Sequence, residues 1–197
     1  MKSIKIGTRN SPLAMWQARA VARNLQNLNH TTDIVPVLAT GDKNLTQPLY
    51  TLGITGVFTK DLDIALLNNE IDIAVHSLKD IPTDLPENIE IIAVLERDYP
   101  QDVLVRKKDA ETLELHDLKI ATSSLRRRAF WSKEFPGTQF SDIRGNVQTR
   151  LNKLEENDFD ATMFSLAAIE RMGLNVHYEH LPSMISAPAQ GVVAICG

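Results

Sequence analysis

An α/β protein with helices packed on largely parallel sheets is what this sequence predicts, and two observations lead there. Short apolar runs of strand character alternate with segments of helical periodicity along the whole chain. The alternation is interrupted twice by polar, proline-containing stretches, Glu96-Arg97-Asp98-Tyr99-Pro100 and Ala187-Pro188-Ala189-Gln190-Gly191. Stretches of this composition read as hinges. The expectation is two domains, residues 1–97 together with 191–197, and residues 98–190; a length of 197 residues accommodates them.

Ile4-Lys5-Ile6-Gly7 reads as the first strand. Ser11 is a good N-cap and Pro12 a good first helical residue. Ala14, Ala18, Val21, Leu25 and Leu28 then recur at helical spacing, so this helix lays one face on a sheet. Residues 33–38 form a second strand, ended by Thr40-Gly41-Asp42, and a loop runs to Gly56. Phe58, Leu62, Ala65 and Leu66 mark another amphipathic helix, and the apolar run 71–75 a buried strand. Residues 89–95 are a further strand. Beyond the first hinge the expected strands are 102–105, 118–121, 140–143 and 160–164. Helices start at Leu125, at Gly145-Asn146 (with Val147, Leu151 and Leu154 on one face) and at Leu166, the last stopped by Gly173. A final strand, 192–195, follows the second hinge.

The bulk numbers narrow the function. Net charge is −4, which gives no basic field for nucleic acid or an anionic membrane. Cys196 is the one cysteine, so there is neither a disulfide framework nor a cysteine-rich metal site. Met1-Lys2-Ser3 runs straight into the first strand with no apolar signal region, and no run approaches bilayer length, so a cytoplasmic protein is expected.

Three strand-to-helix turns carry arginines: Arg9, Arg126-Arg127-Arg128 and Arg144, with Arg150 one turn further on. Helix N-termini favour anions. Arginine there opposes the dipole, and an anionic ligand would resolve the conflict. Guanidinium forks take carboxylates bidentately, so a polycarboxylate fits as well as a phosphate. These arginines are therefore expected to serve a ligand rather than the fold. Val75-His76-Ser77-Leu78-Lys79-Asp80-Ile81-Pro82-Thr83 ends a buried strand in a charged tip, where open α/β folds place ligand sites. From these residues alone, an exposed ion pair and a catalytic carboxylate are equally good readings of Lys79-Asp80. A carboxylate among arginines would stay ionised and could steady a positively charged intermediate. His177-x-x-His180 lacks a third ligand and reads as a polar loop, so no metal is expected. Gly53-Ile54-Thr55-Gly56 fits no nucleotide loop, and Ser123-Ser124 has no G-x-S-x-G context.

At these residues the chain resembles the hydroxymethylbilane synthase (porphobilinogen deaminase) family, collinearly from about residue 4 to 195. The resemblance is carried by Ile6-Gly7-Thr8-Arg9-Asn10-Ser11-Pro12-Leu13-Ala14 with Trp16-Gln17, Thr40-Gly41-Asp42, Gly56-Val57-Phe58-Thr59-Lys60 and the 75–83 segment. In the second half it rests on Thr122-Ser123-Ser124-Leu125-Arg126-Arg127, Ile143-Arg144-Gly145-Asn146-Val147-Gln148-Thr149-Arg150 and Pro188-Ala189-Gln190-Gly191. It implies two domains of the type II periplasmic-binding-protein kind with a cleft between them, and a third, smaller domain that this chain lacks. It implies stepwise condensation of four porphobilinogens into hydroxymethylbilane with loss of ammonia, in heme biosynthesis, by a cytoplasmic monomer that binds neither nucleic acid nor membrane. The family's catalytic aspartate matches Asp80. Its substrate- and cofactor-binding positions match Arg9, Ser11, Gln17, Lys79, Ser124, Arg126, Arg127, Arg144, Arg150, Arg171 and Gln190. The arginines would then hold acetate and propionate groups, and Asp80 a cationic, azafulvene-like intermediate.

Two departures stand out. The family primes its product on a dipyrromethane held by a cysteine in the third domain, and Cys196 does not fall at that place. The chain is thus expected not to carry the covalent cofactor, being either a fragment or a divergent relative, inactive alone, with Cys196 a packed thiol. Thr51 and Thr55 stand where many members have lysines, which removes positive charge from a loop expected to be poorly ordered. A different reading is a small-anion binding module of the same architecture, without turnover. An RNA-binding chain is poorly supported by the acidic net charge.

Overall fold

The computed structural model describes residues 2–38, 56 and 58–197. Thr40-Gly41-Asp42, Thr51 and Thr55 lie outside the described residues. The chain forms two compact units: one holds the described residues up to Asp98 together with Ala189–Gly197, the other Tyr99–Pro188.

The first unit contains strands β1 (Ile4–Arg9), β2 (Thr32–Val37), β3 (Ile73–Ser77), β4 (Ile91–Val94) and β10 (Val193–Cys196), with helices α1 (Pro12–Asn27) and α2 (Lys60–Leu67). Its sheet runs β2-β1-β3-β10-β4. β1 is parallel to both β2 and β3, whereas β10 is antiparallel to β3 and β4. The two sheet faces are covered by different helices. Ala18, Val21 and Ala22 of α1 pack on Ile6, Val75, Val193 and Ile195. Leu62 and Ala65 of α2 pack on the other face with Ile71, Ala74, Ile89 and Cys196. The strand period of two explains why Ala74 and Val75, or Ile195 and Cys196, serve opposite cores. Gly7 lies close under Leu62 of α2 and Ile71: a Cβ there would stand 2.2 Å from Cδ1 of Ile71, so a larger residue would make these side chains shift.

The second unit contains β5 (Asp102–Arg106), β6 (Ile120–Ala121), β7 (Phe140–Ser141), β8 (Ala161–Ser165) and β9 (Glu179–His180), with α3 (Leu125–Glu134), α4 (Val147–Glu156) and the short α5 (Leu166–Arg171). Its sheet runs β7-β6-β8-β5-β9. Again one face packs under α4 and α5, through Leu154, Leu166 and Ile169 on Val103, Val105, Ala121 and Phe164. The other packs under α3, through Trp131 on Leu104, Ile120, Ala161 and Met163.

The sheets are mixed rather than largely parallel. β10 enters beside β3 from the end of the chain, and β5 begins its unit antiparallel to β8 and β9. Apolar patterning sets which face a strand buries, not which way its neighbour runs. β9 is a two-residue strand with no sequence signal. All four residues of β4 are exposed at the sheet edge.

Candidate functional site

In the first unit the candidate residues gather at the carboxyl ends of β1 and β3, where ligands bind in open α/β sheets. Arg9 is the last residue of β1, and its guanidinium lies 4.1 Å from the centre of the Phe58 ring. Ser11 accepts from the backbone N–H of Ala14 at 3.3 Å and starts α1 as its cap. One turn on, the buried Gln17 donates from Nε2 to Oγ of Ser77 at 2.8 Å, pinning the last residue of β3. A single 3₁₀ turn, Leu78–Asp80, follows.

Within that turn Lys79 donates from Nζ to Oε1 of Gln190 at 3.2 Å. Gln190 is itself buried, and its carbonyl accepts from Nε of Arg97 at 3.0 Å. Ala189, just before it, has φ of 59°, which a residue with a side chain adopts only under constraint. The backbone before β10 is thus bent to deliver the Gln190 side chain to Lys79. The protein surrounding Asp80 disfavours its charge and raises its pKa, against the pull of Lys79 and then Arg9. Solvent nevertheless reaches the exposed side chain.

His76 is a feature of this region that its motif alone did not single out. It is 5 % exposed, and its Nε2 is buried without a hydrogen-bond partner. Burial, and secondarily the charge of Arg9, depress its pKa to about 4, so the imidazole is neutral.

In the second unit the arginines form a connected network. Ser124 caps α3 by accepting from the backbone N–H of Arg127 at 3.4 Å. Arg127 is buried. It donates from Nε and Nη2 to Oδ1 of Asp102, at 3.2 and 2.7 Å, and from Nη1 to the carbonyl of Met163 at 2.7 Å. Arg126 donates from Nη1 to Oδ2 of Asp102 and to the carbonyl of Ile185, both at 2.6 Å. Burial alone would raise the Asp102 carboxyl, but the two guanidinium groups outweigh it and hold the group below the usual carboxylate range. Arg150 donates from Nη2 to the same Met163 carbonyl at 2.6 Å and to Oγ1 of Thr162 at 3.1 Å, and lies 4.3 Å from the centre of the Phe164 ring. Its Nε is buried without a partner. Burial and the neighbouring Arg127 charge lower its pKa to about 9.

The structure therefore joins Arg126, Arg127 and Arg150 through Asp102 and the Met163 carbonyl. Arg127 has a larger share in the fold than its turn suggests, because each of its three guanidinium nitrogens already donates to the protein. Asp102 is the group that sequence reading missed: it looks like the start of an ordinary strand. Arg144 is buried at the turn before α4, where Gly145 has φ of 120° and the carbonyl of Arg144 accepts from Nζ of Lys153. Arg171 is half-buried in the last turn of α5. Arg128 is bound up in the fold through the Thr122 carbonyl, Asp142 and the Phe140 ring. His180 stacks edge-on against Tyr178. Among the described residues no cluster of His, Cys, Asp and Glu could hold a metal.

Comparisons with known proteins show the family and the fold. Residues 4–197 match the family model described as porphobilinogen deaminase, dipyromethane cofactor binding domain. The chain is 50 % identical over 195 residues to a probable porphobilinogen deaminase of Methanocaldococcus jannaschii, covering 98 % of this chain and 66 % of that protein. It is 42 % identical over 201 residues to a porphobilinogen deaminase of Syntrophomonas wolfei, covering 99 % of this chain and 66 % of that one. The chain thus spans about two thirds of the length of the curated relatives it matches. Among solved structures it is similar in fold to the BenM effector binding domain with its effector benzoate, with a TM-score of 0.56 and 16 % identity over 98 % of this chain and 82 % of that one. The periplasmic VFT2 domain of BvgS from Bordetella pertussis gives 0.55 and 10 %, over 98 % and 80 %. Both likenesses concern the α/β fold alone.

Proposed function

The chain belongs to the porphobilinogen deaminase family, and on that premise we propose that it forms the substrate- and cofactor-handling part of a hydroxymethylbilane synthase. The reaction would join four porphobilinogens stepwise, with loss of ammonia at each step. In this reading residues 1–97 with 191–197 carry the catalytic carboxylate, Asp80, and residues 98–190 hold carboxylates of the ligand.

The observation that carries the reading is Arg150. Its donors have only neutral partners, its Nε is buried with none, and its charge stands beside that of Arg127. Positive charge held in this way calls for an anion. The family's dipyrromethane bears acetate and propionate groups, and forked guanidinium donors suit them. Ser124, Arg126, Arg127, Arg144, Arg150 and Arg171 would hold it. When bound, that group supplies the pyrrole carbon to which the next unit is joined.

Asp80 would stabilise the positive charge that develops on the substrate's pyrrole as the amine departs. Lys79, tied to Gln190, would fix the turn and draw a substrate carboxylate, as would Arg9. Gln17 and Ser11 would hold that turn and the start of α1 in place. Cys196 is no attachment point: it is buried in β10, and burial, then the charge of Asp63, push its thiol up to about 11. The same reading makes the protein a cytoplasmic monomer that takes a small molecule and neither nucleic acid nor membrane; the net charge of −4 supports this. No described helix is long and apolar enough to cross a membrane.

The test is turnover of porphobilinogen by this sequence placed within the full length of the family, alongside calorimetric titration of porphobilinogen into the 197-residue chain. Binding with no turnover at full length would favour a binding module; absence of both would remove the proposal.

A further inference from the structure

We infer that Asp102 is a positioning residue: it fixes the head of Arg126 so that the Nε–Nη2 edge of that guanidinium faces an anionic ligand. The inference rests on the proposed function only for the identity of the ligand. Asp102 is completely buried at the start of β5, so its place is set by the sheet. One oxygen, Oδ1, takes two donors of Arg127, and the other, Oδ2, takes Nη1 of Arg126. The two arginines are treated differently by this one carboxylate. Nε, Nη1 and Nη2 of Arg127 all have protein acceptors. Arg126 commits Nη1 alone, to Asp102 and to the Ile185 carbonyl, and no acceptor among the described residues takes its Nε or Nη2. Its side chain is 24 % exposed.

Two short bonds to one terminal nitrogen hold the plane of a guanidinium while leaving its opposite edge free. That edge has the bidentate geometry a carboxylate or phosphate takes up. A head already fixed loses less rotamer freedom on binding than a mobile surface arginine would. Asp102 also cancels one of the two positive charges of Arg126 and Arg127 at the first turn of α3. The helix therefore tolerates adjacent arginines without a ligand, and a ligand finds the open edge in place.

The experiment uses the 197-residue chain, the Asp102→Asn variant and the Arg126→Lys variant. Arg126→Lys keeps the charge at an exposed position but has no Nε–Nη2 edge, and it keeps the test alive should Asp102→Asn fail to fold. The head is followed by NMR of the arginine Nη nitrogens, which give separate signals while rotation is blocked. Anion uptake is followed by calorimetric titration of porphobilinogen and, separately, of inorganic phosphate. Fixed Arg126 signals are expected in the parent. In folded Asp102→Asn they should merge, with affinity for the anion falling about tenfold or more; Arg126→Lys should show the same loss of affinity. Separate Arg126 signals in folded Asp102→Asn, rapid rotation in the parent, or unchanged affinity in Arg126→Lys would overturn the inference. If the parent binds phosphate but not porphobilinogen, and the variants lose that binding, the positioning role stands and the proposed substrate falls.

Discussion

Lys79 donates to Oε1 of the buried Gln190 at 3.2 Å, tying the loop after β3 to the turn before β10, residues 111 apart in sequence. Gln190→Ala should remove this acceptor from Lys79 and empty a packed site. The loss should be about 1–2 kcal/mol in thermal unfolding, below the usual range for charged hydrogen bonds because Lys79 is exposed. Lys79→Met should cost less stability than Gln190→Ala and more porphobilinogen affinity. The reverse order would show that the contact serves the fold alone.

Asp80→Ala should leave the fold intact, since the side chain is exposed and forms no part of a packed core. In a full-length member carrying this sequence, turnover should fall by about 100-fold or more, the scale on which a positioned charge acts. Near-normal turnover in the folded variant would remove Asp80 from the mechanism.

His76 gives the first unit a pH dependence. Its pKa is about 4 in the folded chain and about 6.5 unfolded. The folded state thus binds fewer protons between these values. The stabilising contribution is full above pH 6.5 and is lost as pH falls toward 4, by about 3 kcal/mol in all. In His76→Gln the stability profile should flatten across this window. An imidazole resonance titrating near 6.5 in the folded protein would refute the assignment.

The Cys196 thiol, at about 11, should resist aromatic disulfide reagents at pH 8 in the folded chain and react at once on unfolding. Because the folded pKa is raised, the thiol's contribution to stability is complete below about pH 9 and is lost as pH rises toward 11. Rapid modification at pH 8 without unfolding would contradict the burial of β10.

Arg127→Leu should be destabilising by about 2–3 kcal/mol, because it removes two of the three donors that Arg126 and Arg127 give the buried Asp102 carboxylate and takes one donor from the Met163 carbonyl. The turn motif suggests instead an arginine that serves a ligand and leaves stability nearly untouched. Arg144→Leu should weaken cofactor or substrate uptake more than it lowers the melting temperature. Calorimetric unfolding of both variants separates the two behaviours.

The sequence by itself determined most of the helices and strands, β9 excepted, since helical spacing in α1 and the apolar run into His76 are local signals that packing then enforced. It also determined the arginine-bearing turns and the Lys79-Asp80 loop, because caps, glycines and charges at strand ends are read from adjacent residues. Strand direction was decided only in three dimensions: an apolar β10 buries equally well parallel or antiparallel, and the route of the chain through Ala189 chose. So too were the partners of the charges. Asp102 lies 24 and 25 residues from Arg126 and Arg127, and Gln190 lies 111 from Lys79. No periodicity links such positions. Whether a guanidinium is spent on a buried carboxylate or left with an open edge depends on a neighbour that only the folded sheet brings within reach.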